Sequence, residues 1–246
     1  MASLLQTRGL TLNFGGVVAA DGIDFDLQAG ERLAVIGANG AGKTTFINMV
    51  TGYIRPSAGR IHFDGQDITG LHPRQIVRRG MGRSFQLPQL FTAHTVRESV
   101  ELAVAARQGR LSLLRPMARC VDGAEIDHVL SVVGLSARAD DACGTLPEGH
   151  RKLLDIAMAL VLRPRLLIMD EPTSGVAADE KHPLMATIMK ALAERSVTAM
   201  FVEHDVDIVT QYATRVAAWI SGRIAADGPP EVVMNDPEVR TVVLGH

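Results

Sequence analysis

The sequence has few cysteines and no long apolar run. Its two cysteines, Cys120 and Cys143, lack metal-ligand spacing, which favours free thiols in a reducing compartment. No apolar run approaches the roughly 18 residues that a membrane-spanning helix needs, and residues 1–8 lack the basic start and apolar stretch of a secretion signal. We therefore expect the chain to stay in the cytoplasm.

An excess of charge of either sign is also absent. The 25 Lys and Arg residues nearly balance the 27 Asp and Glu residues, and the formal net charge is −2. Because this balance leaves no basic footprint for nucleic acid, we do not expect nucleic acid as a partner. Apolar residues make up 47% of the 246 residues, which is enough for one large domain or for a core with a subdomain.

The clearest motif is the stretch Gly-Ala-Asn-Gly-Ala-Gly-Lys-Thr at residues 37–44, between the apolar residues 32–36 and a predicted helix. Its glycines allow successive backbone N–H groups to point into one concavity, and the positive end of the helix adds attraction for phosphate. We expect Lys43 to reach the terminal phosphates and Thr44 to ligate Mg²⁺. The stretch therefore predicts a phosphate-binding loop.

Polar side chains follow two further apolar segments. Residues 166–169 are typical of a buried parallel strand, and Asp170 and Glu171 follow them directly. His204 follows the apolar residues 197–202 in the same manner. Since α/β folds place ligands at the carboxyl ends of their strands, we expect these side chains at one sheet edge. There Asp170 is placed to hold Mg²⁺, and Glu171 to orient or deprotonate a water.

The remaining pattern alternates between strand and helix. Residues 4–35 predict short strands with turns, residues 95–135 have helical periodicity, and residues 179–194 predict a helix with Pro183 in its first turn. We predict an α/β fold with three parts: a P-loop NTPase core with a parallel sheet, an N-terminal antiparallel β piece, and an inserted helical subdomain at about residues 90–162.

Two features allow more than one interpretation. Phe14 ends the first predicted strand, where it could stack on a nucleotide base, although its spacing favours a core position. Four arginines of the inserted region could contact an acidic partner or lipid headgroups, although a solvated face is favoured. These arginines are Arg107, Arg110, Arg115 and Arg119.

Taken in order, these motifs resemble the ATP-binding subunit of an ABC transporter over nearly the whole chain. The matching positions are the base-stacking aromatic Phe14, the Q-loop glutamine Gln86, the Walker B pair Asp170 and Glu171, the D-loop residues 174–179 and the switch histidine His204. A narrower resemblance is to the branched-chain amino-acid branch, which includes urea and amide importers. It rests on residues 13–16, 83–86, 202–205 and 235–239.

The resemblance implies an ATPase that binds ATP and Mg²⁺ as a single ABC ATPase domain. It gives catalytic roles to Glu171, His204 and Gln86, and metal contacts to Thr44, Gln86 and Asp170. For Phe14 it favours base stacking over a core position. The ATP-binding residues that it implies are Phe14, Gly37, Ala38, Asn39, Gly40, Ala41, Gly42, Lys43, Thr44 and Thr45.

The resemblance also implies partners. In the family, two such subunits sandwich two ATP molecules, each held by the phosphate loop of one subunit and the signature helix of the other. We expect a second ABC ATPase subunit, a heterodimer being favoured and a homodimer possible, together with transmembrane permease subunits and, indirectly, a solute-binding protein. The chain would then be peripheral on the inner face of the cell membrane.

The signature segment departs from the family pattern. The family has Leu-Ser, any residue and Gly, whereas this chain has Leu146, Pro147, Glu148 and Gly149. Proline has neither a hydroxyl nor a backbone N–H, and Glu148 adds a negative charge. Two interpretations stay open: the site that uses this segment is weak within an unequal ATPase pair, or the proline is harmless and Gly149 suffices.

Three functions compete. The favoured one is the ATP-hydrolysing energy subunit of an importer for branched-chain amino acids or a related small polar solute such as urea or amides. The alternative is a soluble ABC ATPase that acts on ribosomes or DNA, which the single cassette and balanced charge disfavour. A non-hydrolysing nucleotide-binding module is the third, but such a module would need neither the water-orienting Glu171 nor the γ-phosphate sensor His204.

Overall fold

The computed structural model describes residues 3–109 and 121–245. The strands are β1 (Leu5–Phe14), β2 (Val17–Leu27), β3 (Arg32–Gly37), β4 (Ala58–Phe63), β5 (Gln66–Asp67), β6 (Met81–Ser84), β7 (Leu166–Asp170), β8 (Thr198–Val202), β9 (Arg215–Ile220) and β10 (Arg223–Gly228). The helices are α1 (Lys43–Val50), α2 (Pro73–Val77), α3 (Val96–Gln108), α4 (Gly123–Val132), α5 (Glu148–Leu160), α6 (Ala178–Glu194), α7 (Val206–Tyr212), α8 (Pro230–Val233) and α9 (Pro237–Val239).

The strands form two sheets. One is antiparallel, in the order β2-β1-β4-β5. The other has the order β10-β9-β3-β8-β7-β6, and only its edge strand β10 runs antiparallel to its neighbour. Helices α3, α4 and α5 lie between β6 and β7 in the chain. The predicted fold class, with its parallel core, antiparallel β piece and helical insertion, is confirmed.

Alternate residues of the central strands face two separate hydrophobic cores. Leu33 and Val35 of β3 pack with α1 and the antiparallel sheet, whereas Ala34 and Ile36 pack with helices α3 to α7. Successive side chains of a strand point to opposite faces, so a parallel sheet covered on both faces needs apolar residues at every position. This requirement explains the unbroken apolar run at residues 166–169.

An arginine and a glutamate hold the helical insertion together. The Arg107 guanidinium donates to both Glu125 carboxylate oxygens at 2.7 Å and to the Val161 carbonyl at 2.6 Å, and Arg163 lies 3.1 Å from Glu125. The expectation of a solvated face is therefore wrong for Arg107, because these contacts join α3 to α4 and to the end of α5. Arg110, Arg115, Arg119 and Cys120 lie outside the described residues, and Cys143 is a buried free thiol.

The structure contradicts two further expectations, one for Pro183 and one for Phe14. Pro183 is the sixth residue of α6, so its predicted place in the first turn is wrong, and its missing N–H removes one helical hydrogen bond. Phe14 is 52% exposed at the end of β1, so the core position is also wrong. No helix in the described part of the chain is long and apolar enough to span a membrane.

We predict that Glu125→Gln lowers the free energy of unfolding at pH 7 by about 1.5–3 kcal/mol, the contribution of hydrogen bonds to a charged group. The arginine contacts lower the pKa of Glu125 from 4.5 to about 2. A carboxyl with a lowered pKa stabilises the fold fully above its unfolded pKa of 4.5 and loses that contribution as the pH falls toward 2.

Urea unfolding at several pH values measures this effect. The difference between wild type and Glu125→Gln should shrink as the pH falls from 4.5 toward 2. The matched control is Asp127→Asn. The Asp127 carboxylate also pairs with an arginine but is 64% exposed, so its loss should cost about 0–1 kcal/mol. Equal losses of unfolding free energy for the two variants at pH 7 would contradict the structural role of Glu125.

Candidate functional site

The loop between β3 and α1 has a backbone that only glycine fits. Gly40 and Gly42 have φ angles of 80° and 101°, in the left-handed region. A Cβ atom added at Gly42 would lie 2.5 Å from the Ala19 carbonyl, and one at Gly37 would lie 2.5 Å from the Trp219 carbonyl. These close approaches place the loop directly against β2 and β9.

The side chain of Lys43 folds back over this loop. Its Nζ donates to the carbonyls of Gly37 at 2.6 Å and Ala38 at 3.0 Å, and the residue is only 7% exposed. Burial lowers the pKa of Lys43, and the nearby Glu171 and Asp170 carboxylates oppose that shift. The amino group of Lys43 therefore lies at the centre of the loop.

Helix α1 starts with free N–H groups beside this amino group. Its first helical hydrogen bond runs from the Phe46 N–H to the Gly42 carbonyl, and Gly42 provides no side-chain cap. The first N–H groups of a helix have no partner within it, so they are available to an anion. A cleft of about 230 Å³ opens here, and its lining includes Asn39, Gly40, Gly42, Lys43, Thr44, Thr45, Glu171 and His204.

Two side chains converge on Glu171 at the end of β7. The Gln86 Nε2 donates to Glu171 Oε2 at 2.6 Å, and the His204 Nε2 lies 3.1 Å from Glu171 Oε1. Glu171 itself has a φ of 50°, a left-handed conformation that is uncommon outside glycine. The three residues come from loops after β6, β7 and β8, so the parallel sheet brings together groups that are far apart in the sequence.

Asp170, the last residue of β7, lies deeper than Glu171. It is 8% exposed, and its Oδ2 lies 3.4 Å from the Arg83 guanidinium. Burial raises the pKa of Asp170, while the charge of Arg83 lowers it. Arg83 also donates to Asn48 at 2.7 Å and lies over the rings of Tyr53 and Phe85.

The donor chemistry of this edge fits a magnesium ion that arrives with a nucleotide. Thr44, Gln86 and Asp170 offer hydroxyl, amide and carboxylate oxygens, which are hard donors suited to Mg²⁺. No group of three or more His, Cys, Asp or Glu side chains that could hold a metal occurs in residues 3–109 and 121–245. Mg²⁺ commonly uses one or two carboxylates together with substrate phosphates, so a complete protein cage is not required.

The signature segment lies apart from this cleft. Pro147 is the N-cap of α5 without a side-chain hydrogen bond, and Leu146 is buried. A Cβ added at Gly149 would contact Val176, and one added at Gly175 would contact the Glu148 side chain. The segment therefore lies against the residues expected to form the D-loop, and it does not line the cleft at the start of α1.

Roles in the site for three charged residues were not predicted from the sequence, namely the partly buried Arg83 and the buried Lys152 and Glu203. Lys152 donates to the backbone carbonyls of Glu171 at 2.9 Å and Gln86 at 3.2 Å. Glu203 accepts from the Thr173 N–H at 3.0 Å and hydroxyl at 2.7 Å, which fixes the turn after Glu171. Charged residues are mostly exposed, so the sequence alone gives no signal for these roles.

Comparison with known proteins agrees with this geometry. The profile of the ABC transporter family matches residues 20–174. The chain is 34% identical over 251 residues to the high-affinity branched-chain amino acid transport ATP-binding protein BraF of Pseudomonas aeruginosa, covering 99% of this chain and 98% of BraF. It is also 34% identical over 252 residues to the corresponding LivG protein of Escherichia coli K12, with the same coverage.

Solved structures give the same assignment. The ADP conformation of MJ1267, an ATP-binding cassette of an ABC transporter, superposes with a TM-score of 0.85 at 29% identity over the whole of both chains. A nucleotide-free ATP-binding cassette superposes with a TM-score of 0.82 at 29% identity over 98% of each chain. The glycine loop, the paired carboxylates and these matches lead to one conclusion: the chain belongs to the ABC transporter family, as an ATP-binding subunit with ATPase activity.

Proposed function

We propose that this chain is the energy subunit of an importer for branched-chain amino acids or a related small polar solute such as urea or amides. The observation that carries the proposal is the convergence of Gln86 and His204 on the Glu171 carboxylate beside the phosphate cleft. Such an arrangement serves hydrolysis rather than binding alone. The names of the relatives BraF and LivG support the solute class.

In this proposal Glu171 accepts a proton from the attacking water. A carboxylate within hydrogen-bond reach of a water contributes about 10²–10⁴-fold as a general base. Gln86 and His204 each contact one carboxylate oxygen of Glu171, at 2.6 and 3.1 Å. Through these contacts they orient the carboxylate and the water. Most of the acceleration then comes from positioning and charge stabilisation, as is general in phosphoryl transfer.

The phosphates of ATP lie in the cleft in this proposal. Lys43 leaves its loop carbonyls to meet the terminal phosphates, and the N–H groups in the first turn of α1, which have no partner within the helix, bind them as well. Thr44, Gln86 and Asp170 would hold Mg²⁺, which would supply neutralisation of the phosphate charge. Phe14, exposed at the tip of the β1-β2 hairpin, stacks on the base.

The proposed assembly has unequal halves. A second ABC ATPase, preferably a different chain, supplies the signature that completes the ATP site of this chain, and both dock on transmembrane permease subunits at the inner face of the membrane. A solute-binding protein acts through the permease. The whole chain serves as one ABC ATPase domain, with residues 90–162 as its helical subdomain.

Pro147 weakens the second site of this assembly. It precedes the first turn of α5 with φ −56° and ψ 155°, where a serine side chain could donate to a phosphate and also cap the helix. The loss of one charge-assisted hydrogen bond costs about 1.5–3 kcal/mol. Glu148 brings a carboxylate to the same helix end, and Arg151 at 3.8 Å compensates it only weakly.

Purification of the tagged chain from gently solubilised native membranes, with ATP present, tests the assembly. We expect two membrane proteins and a second, different ABC ATPase to be recovered with it, because the signature of this chain lacks the serine. Mass spectrometry of the purified complex identifies them. Recovery of the chain alone, or with ribosomal or DNA-repair proteins, would contradict the importer proposal.

We predict that Pro147→Ser raises the ATPase activity of the assembled complex more than twofold, since the serine restores a phosphate contact worth about 1.5–3 kcal/mol. Pro229→Ser is the matched control, because Pro229 is also an uncapped N-cap proline, with φ −57° and ψ 147°. It tests helix capping without touching the signature. Activity of Pro147→Ser within about twofold of wild type would show that the proline is harmless.

A further inference from the structure

A buried lysine joins the signature helix to the catalytic residues. Lys152 lies three residues after Gly149 on α5 and is only 4% exposed. Its ammonium group donates to the Glu171 carbonyl at 2.9 Å and to the Gln86 carbonyl at 3.2 Å. A single side chain of α5 therefore binds the main-chain carbonyls of both Gln86 and Glu171, whose side chains are hydrogen-bonded to each other.

We propose that Lys152 is a positioning residue that makes the geometry of Gln86 and Glu171 follow the position of helix α5. Since α5 begins at the signature segment, nucleotide engaged by that segment would be sensed at the ATP site of this chain itself. This second step rests on the proposed function, in which the signature faces the ATP of a partner subunit. The positioning of Gln86 and Glu171 requires only the contacts within this chain.

Glu171 needs such support because its backbone is strained. Its φ of 50° lies in the left-handed region, which costs energy in a residue with a side chain. Such a conformation persists only where the surrounding structure holds it. The Glu171 N–H donates to the Val202 carbonyl at 3.1 Å. Its carbonyl accepts from Lys152 at 2.9 Å and from the Ser174 N–H at 3.1 Å, so both backbone groups of the residue are fixed.

Helix α5 holds the Gln86 segment at a second point. The Asp155 carboxylate, one turn after Lys152, accepts from the Phe85 N–H at 3.2 Å. Lys152 and Asp155 therefore contact consecutive residues of the segment that follows β6. With two points fixed, rotation or translation of α5 moves the segment as a unit, and the Gln86 side chain moves with it.

The charge of Lys152 is supported from several elements. Burial lowers the pKa of Lys152, and four carboxylates oppose that shift: Glu148 and Asp155 on its own helix, Glu203 after β8 and Glu171 after β7. A lysine ammonium has three donors, and a carbonyl bonded to a charged donor is held more strongly than one bonded to a neutral donor. Methionine has a similar length and none of these donors.

Hydrogen exchange of the full chain tests the positioning. Lys152→Met should speed exchange in residues 84–90 and 170–176 roughly tenfold or more, the effect of one lost charged hydrogen bond. Residues 32–50 should be unaffected, and the Kd for Mg-ATP should stay within about threefold, because the phosphate loop is intact. Lys152→Arg should restore slow exchange, and the exposed Lys190→Met is the control.

Two results of this experiment would overturn the proposal. Unchanged exchange in residues 84–90 and 170–176 of Lys152→Met would show that the lysine does not position them. Equally faster exchange throughout the chain would assign Lys152 a general structural role instead. Both results are independent of transport, so they distinguish a failure of this inference from a failure of the importer proposal.

The second step of the proposal is that nucleotide bound at the signature segment is sensed at Gln86 and Glu171 through α5. It is tested in the assembled complex, at saturating ATP. For Lys152→Met, kcat for ATP hydrolysis should fall at least about tenfold with KM within about threefold, and Lys152→Arg should recover most of the activity. In the wild-type complex ATP should slow hydrogen exchange in residues 84–90, and this protection should be lost in Lys152→Met. If kcat stays within about twofold, or the protection persists, α5 does not transmit a signal through this lysine.

Discussion

Five parallel strands that end at one edge of a sheet determine the chemistry of this protein. Strands β9, β3, β8, β7 and β6 run in the same direction, so the segments that follow β3, β6, β7 and β8 meet in a small volume. These segments contain the glycine-rich loop at residues 37–44, Gln86, Glu171 and His204. The sheet keeps its order because both faces are covered by apolar cores, and alternate residues of each strand supply the two cores.

Much of this arrangement could be predicted from the sequence. Fully apolar runs that end in polar residues, as at residues 166–171, identify buried parallel strands, and the glycine pattern at residues 37–44 identifies the loop between one strand and its helix. Strand direction then places His204 with Glu171. These features are local in sequence, and each has one physical explanation.

The remaining features depend on contacts between distant segments. Arg107 was expected on a solvated face, yet it pairs with Glu125 across two helices. Lys152 and Glu203 are charged residues that bind backbone groups of other elements, and neither pattern nor spacing distinguishes them from exposed charges. Such roles follow only from the folded positions of their partners, because a backbone carbonyl or N–H carries no sequence signal.

Helix α5 has two proposed functions, since it begins at the signature segment and its next turn holds the carbonyls of Gln86 and Glu171 of the same chain. Both depend on Glu171 acting on water, so the rate of ATP hydrolysis by Glu171→Gln in the assembled complex is the most direct measurement. We predict a loss of at least about 100-fold, typical of a general base, with Mg-ATP still bound. The control Glu180→Gln, on α6, should stay close to wild type. Hydrolysis by Glu171→Gln within about tenfold of the wild-type rate would contradict the central role of this carboxylate.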